Sequence, residues 1–152
     1  MAPKRDGFTA DLFRDYQPAP VVDRFEEEEV RAFSLNGRLS KAVALALAAS
    51  GQSRDELAAA MSEFLGDNVS TSMLDKYASQ AAEGHSISAL RLVALAAVTN
   101  DVRPLNALLA DVDLIVVPKK YEALLRREKA RELKERMERE ESAADAEWKA
   151  RR

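Results

Sequence analysis

Between residues 34 and 118 the apolar residues return every third or fourth position, the period that lets a helix bury one face. Leu35, Leu39, Val43, Ala46 and Leu47 mark a first helix, and Gly51, just after Ser50, suits the left-handed residue that ends it. Ser53-Arg54-Asp55-Glu56 then matches a capping box, in which Ser53 accepts from the amide three residues on and Glu56 reaches back. Behind it Leu57, Ala58, Met61, Phe64 and Leu65 form an apolar stripe closed by Gly66, so a second helix is predicted over 53–65. Ser70-Thr71-Ser72 offers the next cap, and a third helix is predicted over 70–81, with Met73, Leu74, Tyr77 and Ala78 on its apolar side. A fourth begins at Ser86 or Ser88 and is apolar nearly all round from Leu90 to Val98, the pattern of a buried central helix. Pro104 opens a fifth, where the first turn of a helix tolerates proline. Leu114-Ile115-Val116-Val117 is a short branched run ended by Pro118, expected as an extended strap on the core; pairing with a strand of another chain is the alternative.

These elements predict an all-α chain in three parts. A flexible arm occupies 1–33, a compact five-helix core 34–118, and a long charged helix 119–152. The formal charge of -3 conceals how differently the parts are charged. Residues 1–36 carry five basic and eight acidic groups, residues 37–118 six and nine, and residues 119–152 twelve and nine. Glu26 to Glu29 form a solid acidic block. In the arm, Phe13, Tyr16 and Phe25 are candidates to strap onto the core or a partner.

Composition removes much chemistry. The chain has no cysteine, which excludes disulfides, thiolate catalysis and cysteine-ligated metal, and its single histidine cannot build a multi-histidine site. His85 sits between Gly84 and Ser86 and reads as a capping or packing group, since every serine would need this one base. Asp111 and Asp113 lack a glycine-centred calcium loop and read as solvated loop residues. No run approaches membrane-spanning length and the N-terminal residues lack the apolar stretch of a signal peptide, so a cytoplasmic protein without cofactor, metal or membrane partner is expected. No paired catalytic groups stand out, and the expectation is a non-enzyme.

Two amphipathic helices joined by a short glycine-containing turn and backed by a hydrophobic helix are the sequence form of a helix-turn-helix. In that arrangement the first helix crosses the phosphate backbone and the second presents its exposed face to base edges. The polar face here is Ser70, Thr71, Ser72, Lys76, Ser79 and Gln80. Hydroxyls suit phosphate, Lys76 a phosphate or guanine, and Gln80 an adenine edge. Gln52 and Arg54 at the start of the second helix, with Arg38 and Lys41 on the first, are candidate phosphate clamps.

Leu57-Ala58, Ser70-Thr71-Ser72-Met73-Leu74 and Ile87-Ser88-Ala89-Leu90-Arg91-Leu92, in that order, resemble the lambda-repressor/Cro-type helix-turn-helix domains. More narrowly, Ser53-Arg54-Asp55-Glu56-Leu57-Ala58, Met73-Leu74-Asp75 and Glu83-Gly84-His85 are similar to small early-region proteins of Mu-like transposable phages and prophages. The resemblance spans roughly residues 20–125 and implies a phage-derived, DNA-binding transcriptional regulator. Its implied partners are double-stranded DNA, a second copy in a homodimer, and a phage or host transcription protein. One departure is the five-residue turn over 66–70, longer than the usual tight one.

Against DNA binding stands the acidic core, because non-specific affinity comes chiefly from cations that replace condensed counterions. A protein-interaction adaptor that docks through the helical core and charged arms is therefore the alternative. The tail has high helix propensity, with Glu135 and Arg139 an attractive four-step pair. Arg126, Ala130, Leu133, Met137, Glu140, Ala144 and Glu147 alternate steps of four and three, with few apolar residues for a coiled coil. The tail is expected as a solvated helix, with a dimer arm or a DNA-backbone contact as alternatives, and Trp148 as exposed or at a partner surface.

Overall fold

A computed structural model describes residues 20–81 and 84–151. Among the described residues there are seven α-helices, two single-turn 3-10 helices and no strand. They run α1 (Glu27–Val30), α2 (Leu35–Ala49), α3 (Arg54–Leu65), α4 (Thr71–Ala78), α5 (Ala89–Thr99), α6 (Arg103–Leu109) and α7 (Glu122–Ala150). The 3-10 turns, Ala110–Val112 and Lys119–Tyr121, flank the segment before α7. The all-helical expectation holds, and α2 to α6 are the five helices read from the apolar period. No helix among these residues is long and apolar enough to cross a membrane.

The helix ends follow the capping logic. Ser34, Ser53, Ser70 and Ser88 each turn a hydroxyl onto an amide of the following turn, and Gly66 ends α3 at φ 65°, where a side chain would be strained. Asn100 ends α5 in the same left-handed region, at φ 52°. One end differs from expectation. The third helix stops at Ala78, three residues before Ala81, because Ser79 turns to φ -98° and ψ 120° and donates its amide to the Lys76 carbonyl. Neither glycine nor proline marks that break.

The core has one main apolar cluster and a smaller second one. Leu39, Val43 and Leu47 of α2 meet Leu57 and Met61 of α3, Leu74 and Tyr77 of α4, and Leu92 and Leu95 of α5. Burying a side chain of this size contributes about 1.5–3 kcal/mol. The α5 helix is not the buried centre its composition predicts: Leu90 is 74% exposed, and Val93 is exposed too. It packs mainly against α3 and α6 and leaves its outer face to solvent. Phe64, placed on the α3 stripe by its spacing, is likewise exposed.

Residues 20–33 dock rather than float. Glu26 and Glu29 close a capping box around α1, so part of the acidic block sits at a helix N-terminus where negative charge is favoured. Val30 is buried with Ala42 and Ala107, and Phe25 packs on that cluster with the Arg103 guanidinium 4.3 Å above its ring. Asp101 grips the same guanidinium at 2.8 and 2.9 Å and raises its pKa further above the ordinary value. Phe13 and Tyr16 lie outside the described residues.

A buried asparagine ties the chain's two outer segments to this core. Asn106 on α6 donates from Nδ2 to the carbonyls of Asp23 (2.9 Å) and Val116 (3.1 Å), and its Oδ1 accepts the Val116 amide at 2.7 Å. The 114–117 run is therefore an extended segment held by an amide clamp, with Leu114 and Ile115 exposed. Beyond it α7 extends for 29 residues without burying any of them. Pairs such as Arg126–Glu122 (3.1 Å) and Arg136–Glu140 (3.2 Å) support it locally, each by about 0.3–0.5 kcal/mol. The Glu135 carboxylate sits 3.8 Å from Arg131, while Arg139 reaches only the Glu135 carbonyl, so the attractive pair read from the sequence does not form.

Replacing Asn106 by alanine removes a buried amide and leaves the half-buried Val116 amide and the Asp23 and Val116 carbonyls without their partner. The Asn106→Ala variant is expected to lose about 2–4 kcal/mol in urea-induced unfolding. A loss under about 0.5 kcal/mol would contradict the clamp.

Candidate nucleic-acid interface

The unit that displays α4 is built around one hydroxyl. Ser62 on α3 donates to the Ala58 carbonyl at 2.7 Å and accepts the Val69 amide at 2.8 Å, so the far end of the 66–70 turn is pinned to the helix that begins it. Val69 is buried below this bond, and the chain then enters α4 through the Ser70 cap. From the other side Arg91 of α5 bonds the Tyr77 hydroxyl and lies 3.5 Å from Asp67 in the turn. A turn of five residues is thus fixed by a hydroxyl and an arginine. Neither Ser62 nor Arg91 was marked as functional by spacing: Ser62 lies within a helical repeat, and Arg91 contacts residues 14 and 24 positions away.

With Leu74 and Tyr77 buried, the opposite side of α4 is polar. Ser72, Asp75, Lys76 and Gln80 are exposed, while Ser70, Thr71 and Ser79 are half-buried. The hydroxyl of Ser70 accepts the Met73 amide at 3.2 Å and so serves the helix cap. No acidic residue occupies the first turn of α4, whereas Asp55 and Glu56 occupy that of α3. Glu56 accepts the Ser53 amide at 2.7 Å and its hydroxyl at 2.8 Å; these bonds, the amide first, hold its carboxyl below the ordinary 4.5. The N-terminus of α3 is already served by its own carboxylate. That of α4 remains suited to an anion.

The candidate cations separate in space. Lys76 stands exposed on α4. Lys41 on α2 donates to the Arg31 carbonyl and lines a cleft shared with Gln80, Phe33 and Glu28. Arg54 leans across to Asp75 with 3.4 Å between Nε and carboxylate, which brings α3 and α4 together and offsets the acid on the polar face. Gln52 is exposed just before the α3 cap. Arg38 does not belong here. Its guanidinium binds Asp111 at 2.7 Å and lines a pocket with Phe25, Val30 and Ala107, on the side of α2 that packs on α6. Asp111 stays largely exposed, as its reading as a solvated residue expects, and in addition holds this guanidinium. The two partners are 73 positions apart, and no local pattern joins them.

Among the described residues no group of three or more metal-ligating side chains could hold a metal ion. His85 is exposed in the segment before α5. Known protein families, curated proteins and solved structures return no match to the chain.

Two expectations test how the unit is held. Ser62→Ala should cost about 1–2 kcal/mol and release the Val69 amide to faster hydrogen exchange; an unchanged exchange rate would contradict the pinned turn. For Glu56 the folded carboxyl is depressed. Its contribution is therefore present above the unfolded value and lost as pH falls through the folded one. Glu56→Gln should remove that part of the acid sensitivity, seen as a shallower loss of melting temperature below about pH 4.5.

Proposed function

We propose that the chain is a DNA-binding transcriptional regulator that uses α3 and α4 as a helix-turn-helix within a lambda-repressor-like core, of the kind found in Mu-like phages. The observation that carries this reading is the outward face of α4. A short helix packed by Leu74 and Tyr77 presents Ser72 and Lys76 to solvent beside an acid-free N-terminus, with Gln80 exposed just beyond its end. The α3 helix lies against a duplex backbone, Lys76 and the first turn of α4 engage phosphate or guanine, and Gln80 with Lys41 extends the contact at the far end. Arg38 has no part in it.

Charge sets the character of the binding. Lys76 and Lys41 supply about two phosphate contacts per protomer, and each contributes about 0.9 to the salt slope. Affinity therefore depends weakly on salt, and non-specific binding is slight. Recognition rests on fit and base contact.

One observation favours the second reading, an adaptor for a phage or host transcription protein. Four arginines of the helical core each meet a carboxylate: Arg38 with Asp111, Arg54 with Asp75, Arg91 with Asp67 and Arg103 with Asp101. Fluorescence anisotropy with duplexes from the chain's own locus separates the two. Under the DNA reading a specific complex forms, Lys76→Ala weakens it roughly tenfold, and Lys134→Ala on α7 leaves it unchanged. The absence of any specific complex at low salt, or equal effects of the two substitutions, would refute it.

A further inference from the structure

We propose that α7 pairs with α7 of a second copy of this chain in antiparallel orientation, with Leu133 of one protomer over Met137 of its partner. Three observations on this helix point the same way. It is 29 residues long, about 43 Å at 1.5 Å per residue, and no residue of it is buried by the rest of the chain. It carries a narrow apolar stripe, Ala130, Leu133, Met137 and Ala144, interrupted by Glu140 between the last two, with Leu133 58% and Met137 61% exposed. Such a seam at coiled-coil spacing is the surface a second helix covers.

The charges choose both the partner and its direction. Residues 122–131 carry four basic and two acidic groups, a net of +2, whereas residues 139–148 carry one basic and four acidic groups, a net of -3. A parallel pair sets each of these segments beside its own copy and opposes like charges. Reversing one helix about the Leu133–Met137 centre lays the net basic segment 122–131 of each protomer alongside the net acidic segment 139–148 of its partner. A second copy thus supplies both the apolar stripe and the complementary charge, and antiparallel pairing satisfies both at once. The alternative, α7 against the DNA backbone, has less behind it. The second half of the helix is net acidic and would repel phosphate.

The inference does not rest on DNA binding, because association is measured on the full chain without DNA. Sedimentation equilibrium should give about twice the 16.8 kDa chain mass at concentrations up to the order of 100 µM. Leu133→Lys with Met137→Lys should weaken the dimer at least roughly tenfold and leave the thermal transition of the core in place, since α7 buries nothing there. Orientation is read by disulfide trapping, for which the absence of native cysteine provides a clean background. A mixture of Arg126→Cys and Ala144→Cys chains should form the mixed disulfide, while Ala144→Cys alone should not cross-link to itself. A monomer throughout that range, a dimer indifferent to the lysine pair, or efficient self-cross-linking of Ala144→Cys would each overturn the proposal. So would a lysine pair that abolishes duplex binding without altering the mass.

Discussion

The burial of Leu74 and Tyr77 in the core cluster is the interaction on which the exposed face of α4 depends. An eight-residue helix in water does not pay back the entropy of its own nucleation. The α4 helix exists because Leu74 is fully buried, Tyr77 nearly so, and the turn that delivers them is pinned by Ser62. The same burial dictates what α4 shows to solvent. With the apolar residues turned inward, helical spacing leaves Ser72, Asp75 and Lys76 facing outward. Packing and display are two consequences of one pattern.

Charge is organised by a comparable economy. Several ion pairs are between elements rather than within them: Arg54 joins α3 to α4, Arg91 joins α5 to the turn, and Arg38 joins α2 to the segment after α6. Each is partly exposed, so its contribution to stability is modest, on the order of 0–1 kcal/mol, and its clearer effect is to fix the direction in which two elements meet. The arginines that hold the scaffold are thereby engaged within the molecule, and under the proposed DNA-binding reading recognition falls to the residues left over. On α7 the pairing is within the helix, which supports it locally while Leu133 and Met137 stay exposed.

Local signals were legible before the structure; long-range ones were not. The Ser53–Glu56 box, the left-handed Gly66, the Ser70 cap and the buried positions Leu57, Met61, Leu74 and Tyr77 each follow from residues within one or two turns of each other, and each is where the spacing put it. The end of α4 was misread because Ser79 leaves the helix without glycine or proline. Arg38 was assigned to the wrong face because the partner that decides its direction, Asp111, comes from a distant segment. Asn106 carried no signal at all: a buried amide that clamps Asp23 and Val116 looks in sequence like any polar residue of a short helix. The breadth of apolar residues on α5 suggested a central helix, but a bundle of so few short helices has no place that is enclosed on all sides.

The most direct test of the account is a heteronuclear NMR titration of the full chain with a duplex from its own locus. The predicted result is a set of perturbed amides confined to residues 70–80, with Lys41 and Gln52 at the margin and α5 and α6 unmoved. Perturbations that gather on α5 or α7 while the amides of α4 stay still would contradict it.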